Sequence, residues 1–125
     1  TLSTGDAANY RNLIDELKTA DAKLAQWTAS EPEENEQNFT IYYDKLEAVQ
    51  AIKDKIEDIE IAQKARGMKP EDAKAYRQIH AKLRTAKAEL ETWMRAQPNR
   101  NEENLKKLDA YERKIEKLSA ALERY

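Results

Sequence analysis

The chain has 125 residues, with 22 basic and 24 acidic side chains, one His and no Cys, and its formal net charge is −2. Ala, Glu, Lys, Leu and Arg account for 68 residues, while there are only two Gly and three Pro. This composition is typical of long helices and argues against a β-rich fold or a Gly-rich nucleotide-binding domain. The absence of Cys excludes disulfides, thiolate metal sites and Cys nucleophiles.

No apolar run is long enough to span a membrane, and the N-terminus shows no basic region followed by an apolar stretch. We therefore expect no membrane contact and a cytoplasmic location. Three short segments rich in Pro, Gly or Asn, at 30–35, 67–70 and 97–101, separate four segments that are each long enough for a helix of about 25–30 residues. The sequence thus predicts an all-α fold with four long helices.

The first predicted helix carries an apolar seam with heptad spacing. Its seam residues follow one another at intervals of 3, 4, 3, 4 and 3: Tyr10, Leu13, Leu17, Ala20, Leu24 and Trp27. Such a narrow stripe is typical of coiled coils and four-helix bundles. Ser3 with Asp6 three residues later is expected to cap the start of this helix.

An acidic segment with a cluster of aromatic residues follows. The acids are Glu31, Glu33, Glu34 and Glu36, and the aromatic residues are Phe39, Tyr42 and Tyr43. The segment contains Pro and no Gly, so a solvated loop is favoured over a calcium site. Further along, Val49, Ile52, Ile56 and Ile59 are interpreted as a seam with a stammer. Gly67 is expected to end the second helix in a left-handed conformation.

The third helix repeats the first at an offset of 66 residues. Its seam residues are Tyr76, Ile79, Leu83, Ala86, Leu90 and Trp93. The match covers residues 10–32 and 76–98, including a Trp and a Pro in register, and it indicates a duplicated helical hairpin. Beyond Pro98 the interpretation is that the first hairpin has a loop four residues longer and about three extra residues in its second helix. Asn99 with Glu102 is expected to cap the fourth helix.

The fourth helix has the same seam spacing, in Leu108, Tyr111, Ile115, Leu118, Leu122 and Tyr125. We predict one all-α domain over 1–125, with internal repeats at about 6–66 and 71–125. Its expected architecture is an up-down-up-down antiparallel four-helix bundle with coiled-coil-like packing. Two hairpins joined end to end are the alternative, because Pro70 at a first-turn position does not force a reversal.

Charge divides between the two halves of the sequence. Residues 1–66 contain 8 basic and 14 acidic side chains, a net −6, whereas residues 67–125 contain 14 and 10, a net +4. The opposite signs favour association of the two hairpins, or head-to-tail association of separate chains.

The function that the sequence favours is a non-enzymatic interaction or assembly module that acts through protein–protein contacts or self-association. The single His80 has no Cys, second His or Glu-x-x-His motif beside it, so no catalytic, metal or cofactor site is predicted. The candidate partner-binding residues are Trp27, Phe39, Tyr42 and Tyr43, since aromatic residues beside charges are typical of interface centres. Trp27 and Trp93 are also expected to close the end of the core.

The alternative function is nucleic-acid or anion binding. Residues 74–87 of the third helix contain five basic side chains and no acidic one: Lys74, Arg77, Lys82, Arg84 and Lys87. Such a stretch is typical of an anion-binding face. Because nucleic-acid-binding domains are usually strongly basic and this chain is slightly acidic, nucleic acid is the less favoured partner.

Overall fold

Four α-helices make up the computed structural model, which describes residues 2–125: α1 Thr4–Ala29, α2 Glu36–Arg66, α3 Pro70–Arg95 and α4 Glu102–Leu122. Residues 2–125 contain no β-strand. The chain divides into two compact units, Thr1–Lys64 and Ala65–Tyr125. No helix within residues 2–125 combines the length and the apolarity that crossing a membrane requires.

The first unit is an antiparallel hairpin of α1 and α2. Near the start of α1, the Tyr10 hydroxyl donates a hydrogen bond of 3.1 Å to Oε1 of Glu60, near the end of α2. At the opposite end of the hairpin, the Trp27 ring stacks on Tyr42, with 6.2 Å between the ring centroids. Leu13, Val49, Ile56 and Ile61 are buried in this unit.

The second unit pairs α3 with α4 in the same antiparallel sense. Tyr76 near the start of α3 meets Tyr125 beyond the end of α4 at 5.7 Å between ring centroids, and Trp93 meets Tyr111 at the same separation. Tyr76, Leu83 and Ala86 are buried. The predicted all-α fold of four helices in two tandem hairpins is confirmed.

The two hairpins match in three of their four helix boundaries, and α2 continues further than α4. At an offset of 66, α1 and α3 start and end at equivalent residues, and α2 and α4 start at equivalent residues. Both connecting loops, 30–35 and 96–101, therefore have six residues, and the prediction of a longer first loop was wrong. The same offset continued along α2 pairs Val49, Ile52, Ile56 and Ile59 with Ile115, Leu118, Leu122 and Tyr125. The predicted insertion and stammer were therefore wrong as well, because the seams match without a gap.

Local signals account for the helix ends. Ser3 Oγ accepts a hydrogen bond from the Asp6 amide at 3.1 Å, so the predicted cap of α1 is confirmed. Pro70 occupies the first turn of α3, as predicted. The cap of α4 is Asn101 and not Asn99, because the Asn101 side chain accepts from the Asn104 amide. The left-handed conformation predicted for Gly67 is absent, since neither glycine has a positive φ.

Candidate interaction surfaces at the hairpin ends

The loop of the first hairpin is held by hydrogen bonds from asparagine. Asn35 Oδ1 accepts from the Asn38 amide at 2.8 Å, and Asn38 Nδ2 donates to the Glu33 carbonyl at 2.7 Å. Glu31 adopts a left-handed conformation with φ of 50°, which allows the chain to leave α1 and turn into the loop. These contacts give the end of the hairpin a defined backbone on which its side chains are displayed.

Three of the predicted partner-binding residues lie in contact at this end. Trp27 stacks on Tyr42, and Tyr42 packs edge-on against Tyr43 at 5.6 Å. Phe39 lines the same small pocket, of about 130 Å³, as Trp27 and Tyr42. Phe39 is 40 % exposed and Tyr42 36 %, whereas Trp27 and Tyr43 are half-buried. The sequence-predicted residues thus form one partly exposed aromatic cluster.

Acidic side chains border this cluster. Glu33 and Glu34 line the pocket, and all four acids of the segment are exposed. Across residues 2–125, no group of three or more His, Asp or Glu side chains is arranged to hold a metal ion. We refer to the pocket residues Trp27, Pro32, Glu33, Glu34, Asn35, Asn38, Phe39 and Tyr42 as the first tip.

An equivalent surface lies at the end of the second hairpin. Asn101 Oδ1 accepts from the Asn104 amide at 2.8 Å, Asn104 Nδ2 donates to the Asn99 carbonyl at 2.7 Å, and Gln97 has a φ of 52°. A pocket of about 340 Å³ is present there. We refer to its lining residues as the second tip: Trp93, Met94, Gln97, Pro98, Asn99, Arg100, Asn104, Leu105 and Leu108.

The two tips share most of their residue positions but differ in side-chain chemistry. At the offset of 66, Phe39 corresponds to Leu105 and Tyr42 to Leu108, while the acid Glu34 corresponds to the base Arg100. The second tip was not found from the sequence. Extending the 66-residue repeat through the loop, past Pro98, would have found it.

Exposed large apolar side chains occur at both tips. Within residues 2–125 they are Phe39, Tyr42, Met94 at 42 % exposure and Leu105 at 58 %. Single exposed apolar residues are ordinary on a protein surface, but their restriction to two small equivalent areas is not. The tips are therefore the candidate interaction surfaces of this chain.

The basic residues of α3 differ in their exposure. Lys74, Arg77, Lys82 and Lys87 are exposed, whereas Arg84 is half-buried. Lys82 shares an open groove of about 700 Å³ with Lys114 and Lys117 of α4. The two α4 lysines were missed in the sequence because they lie 27 and 30 residues beyond Lys87, the last residue of the α3 cluster.

Two titratable side chains, Tyr10 and His80, contact other residues of their own hairpins. The hydrogen bond to Glu60, and secondly the charge of that carboxylate, raise the pKa of Tyr10 above its ordinary value. His80 packs edge-on against the Tyr76 ring, with 4.7 Å between centroids.

Comparison with known proteins gives no match to a family model, to a curated protein or to a solved structure.

Proposed function

We propose that this chain is a non-enzymatic helical interaction module that acts through protein–protein contacts at its hairpin ends. The observation that carries the proposal is the position of the exposed large apolar side chains, which lie at the two tips. Rigid aromatic residues with a charged border have the composition of an interface centre with its polar rim. The sequence supports a non-enzymatic role because it pairs no nucleophile with a general base.

The chemistry of the first tip indicates its partner. Trp27, Phe39 and Tyr42 offer an apolar centre, and Glu33 and Glu34 border it with negative charge. A partner segment that combines apolar and basic side chains would satisfy both parts of this surface. The hydrogen-bonded loop favours binding with little ordering of the backbone, because its geometry is set before the partner arrives.

A photo-crosslinking experiment tests this proposal. The full chain carries benzoylphenylalanine at position 39 or 105, with the exposed helix positions Ala22 and Ala88 as matched controls. We expect the chains that carry the probe at position 39 or 105 to form protein adducts. Excess wild-type chain should suppress these adducts by competition, whereas excess Phe39→Ser, Leu105→Ser double variant should not. Labelling at the tips no stronger than at the control positions would contradict the proposal.

Anion binding in the groove of the second hairpin is the second candidate. It is favoured by one observation, the presence of Lys82, Lys114 and Lys117 around the same groove. Nζ of Lys114 also lies 3.9 Å from Oε2 of Glu89, and this carboxylate offsets part of the positive charge of the groove. The anion function is therefore ranked below the protein-binding function.

Oligonucleotide titration separates the two candidates. Duplex and single-stranded probes are titrated at about 150 mM salt, where ordinary non-specific Kd values are about 10⁻⁴ to 10⁻⁶ M. We expect no binding tighter than about 1 μM. Tighter binding that is weakened by alanine at Lys82, Lys114 and Lys117 would reverse the ranking. Alanine at the exposed lysines 18, 53 and 55 of the first hairpin is the control for loss of charge alone.

A further inference from the structure

We propose that the partner of each tip is the other tip of a second copy of this chain, so that the first tip of one molecule binds the second tip of another. This inference rests on the proposed function and names its partner. It follows from three differences between the tips, in charge, in apolar side chains and in pocket size.

The first difference is charge. Residues 27–42, from the tryptophan of the first tip to its last aromatic residue, contain four acidic and no basic side chains, a net −4. The equivalent residues 93–108 contain four basic and two acidic side chains, a net +2. Like tips therefore repel one another, or at best gain nothing, while unlike tips attract.

The second difference is in the exposed apolar residues. The first tip presents the aromatic rings of Phe39 and Tyr42, and the second presents the flexible side chains of Met94 and Leu105. Aromatic rings pack favourably against Met and Leu, since the thioether is polarisable and adapts to irregular gaps. Each tip thus offers the kind of apolar side chain that the other lacks.

The third difference is in the pockets. The pocket of the second tip, about 340 Å³, is larger than that of the first, about 130 Å³. Its border has Leu105 and Leu108 where the first tip has Phe39 and Tyr42. The second tip consequently has room for a protruding ring, and the exposed Phe39 of another copy is the side chain that we place there.

The contact area is expected to be small, because each tip consists of one loop and the adjoining helix ends. Interfaces below about 1,200 Å² in total are typical of weak, transient association. We therefore expect a Kd of about 10–500 μM at 50 mM salt, which corresponds to reversible assembly. The attraction between opposite charges is screened at high salt, so the association weakens about 5-fold or more at 500 mM.

Sedimentation velocity tests the proposal on the full chain between about 5 and 500 μM, a range that brackets the expected Kd. Wild type is expected to increase in average mass above the 14.5 kDa of one chain, and to do so less at high salt. Phe39→Ser and Leu105→Ser are each expected to remain at the mass of one chain, because each has lost one of the two tips. Ala22→Ser and Ala88→Ser, at equivalent exposed helix positions, are expected to behave as wild type.

Mixing provides the decisive measurement. Phe39→Ser retains its second tip and Leu105→Ser its first, so the equimolar mixture is expected to form a 1:1 dimer that neither variant forms alone. Charge reversal gives an independent check: Glu34→Lys and Arg100→Glu are each expected to weaken self-association, and their equimolar mixture is expected to associate more strongly than either variant alone, because the unchanged first tip of Arg100→Glu binds the unchanged second tip of Glu34→Lys. If like tips paired instead, Glu34→Lys would strengthen self-association, because it reduces the repulsion between two acidic tips. Circular dichroism of each variant confirms that it is folded.

Three results would overturn the inference: wild type that stays at the mass of one chain up to 500 μM, association that Phe39→Ser abolishes while Leu105→Ser leaves it unchanged, or a variant mixture without dimer. The proposed function fails separately. If wild type does not self-associate but position 39 still crosslinks to a different protein, the interaction module stands and only the self-pairing is wrong.

Discussion

The two hairpins have equivalent first helices and loops but differ in the side chains at their ends. Their helices begin at equivalent residues, and both loops use the same pair of asparagine hydrogen bonds and the same left-handed residue after the first helix. The side chains around those loops nevertheless differ in charge and in aromatic character. Features that the fold requires are thus shared, and the differences concern the surface. These surface differences are the features that the fold does not require, so they are the ones that indicate function.

A second difference lies at the opposite ends of the hairpins. Tyr10 donates a hydrogen bond to Glu60 and stays half-exposed, whereas its equivalent Tyr76 is buried against His80 and Tyr125. The second hairpin therefore packs rings edge-on at this end, and the first makes a polar contact there. Ring packing removes apolar area from water, so we expect the second arrangement to stabilise its hairpin more.

The largest expected effect compares equivalent leucines. Leu83 is buried at 8 % exposure, while its equivalent Leu17 is half-buried. Leu83→Ala is expected to lower the free energy of unfolding by about 2–4 kcal/mol. Leu17→Ala is expected to lower it by only about 1–2 kcal/mol, because the half-buried Leu17 side chain loses less buried area. Urea denaturation followed by circular dichroism measures both. Equal losses would show that the two seams are packed alike.

The next effect tests whether the two loops are equivalent. Asn35→Ala and Asn101→Ala each remove the acceptor for an amide at 2.8 Å, so each is expected to cost about 1 kcal/mol. The aspartate variants at both positions retain the acceptor and serve as controls. Asn99→Ala should cost less than about 0.5 kcal/mol, since only its carbonyl is used. A loss confined to one hairpin would contradict the structural match.

The helices and their pairing into hairpins could be predicted from the sequence because the apolar residues have heptad spacing. The seams led to four helices in two hairpins, because apolar residues at 3 and 4 residue intervals must lie on one face of a helix. The caps were harder. Asn99 and Asn101 are both plausible caps two residues apart, and only the hydrogen bond to the Asn104 amide distinguishes them. Gly67 was chosen as a left-handed residue at the end of α2, but the left-handed residues are Glu31 and Gln97, which follow α1 and α3.

The candidate site was predicted in part, and for a physical reason. Phe39, Tyr42 and Tyr43 stand out in a sequence because three aromatic residues in five positions are unusual in a chain that is poor in them. Met94 and Leu105 do not, since an isolated Met or Leu on a helix is more often buried than exposed. Their exposure depends on where the loop turns each helix, and for Leu105 the gap placed in the repeat past Pro98 also hid its equivalence with Phe39.

A smaller effect concerns the left-handed residue of each loop. Glu31→Gly and Gln97→Gly are expected to raise the free energy of unfolding by about 0.5–1 kcal/mol, because glycine adopts a φ near 50° without the clash of a Cβ atom. Ser30→Gly and Ala96→Gly are the controls. These neighbours have ordinary φ values of −72° and −71°, so glycine there should destabilise slightly. Thermal and urea denaturation measure all four variants.

The smallest effect concerns the polar contact between Tyr10 and Glu60. Since the hydrogen bond and the charge of Glu60 raise the pKa of Tyr10, the folded state retains the phenolic proton at pH values where the unfolded chain releases it. The resulting stability is fully present below the unfolded pKa of about 10 and is lost as pH rises through the higher folded pKa. Tyr10→Phe should therefore destabilise the protein slightly at pH 7–9, and the difference from wild type should shrink above pH 10.

The Tyr10→Phe effect is measured as the difference in urea midpoint from wild type between pH 7 and 11. Glu60→Gln is the matched control: it removes the charge and leaves an acceptor at the same place, so the pKa of Tyr10 should fall back toward its ordinary value. An alkaline absorbance titration of this variant should then show one tyrosine that ionises at lower pH than in wild type. A Tyr10→Phe effect that is the same at pH 7 and pH 11 would contradict the assignment, because a pure packing contribution has no reason to follow the ionisation of a phenol.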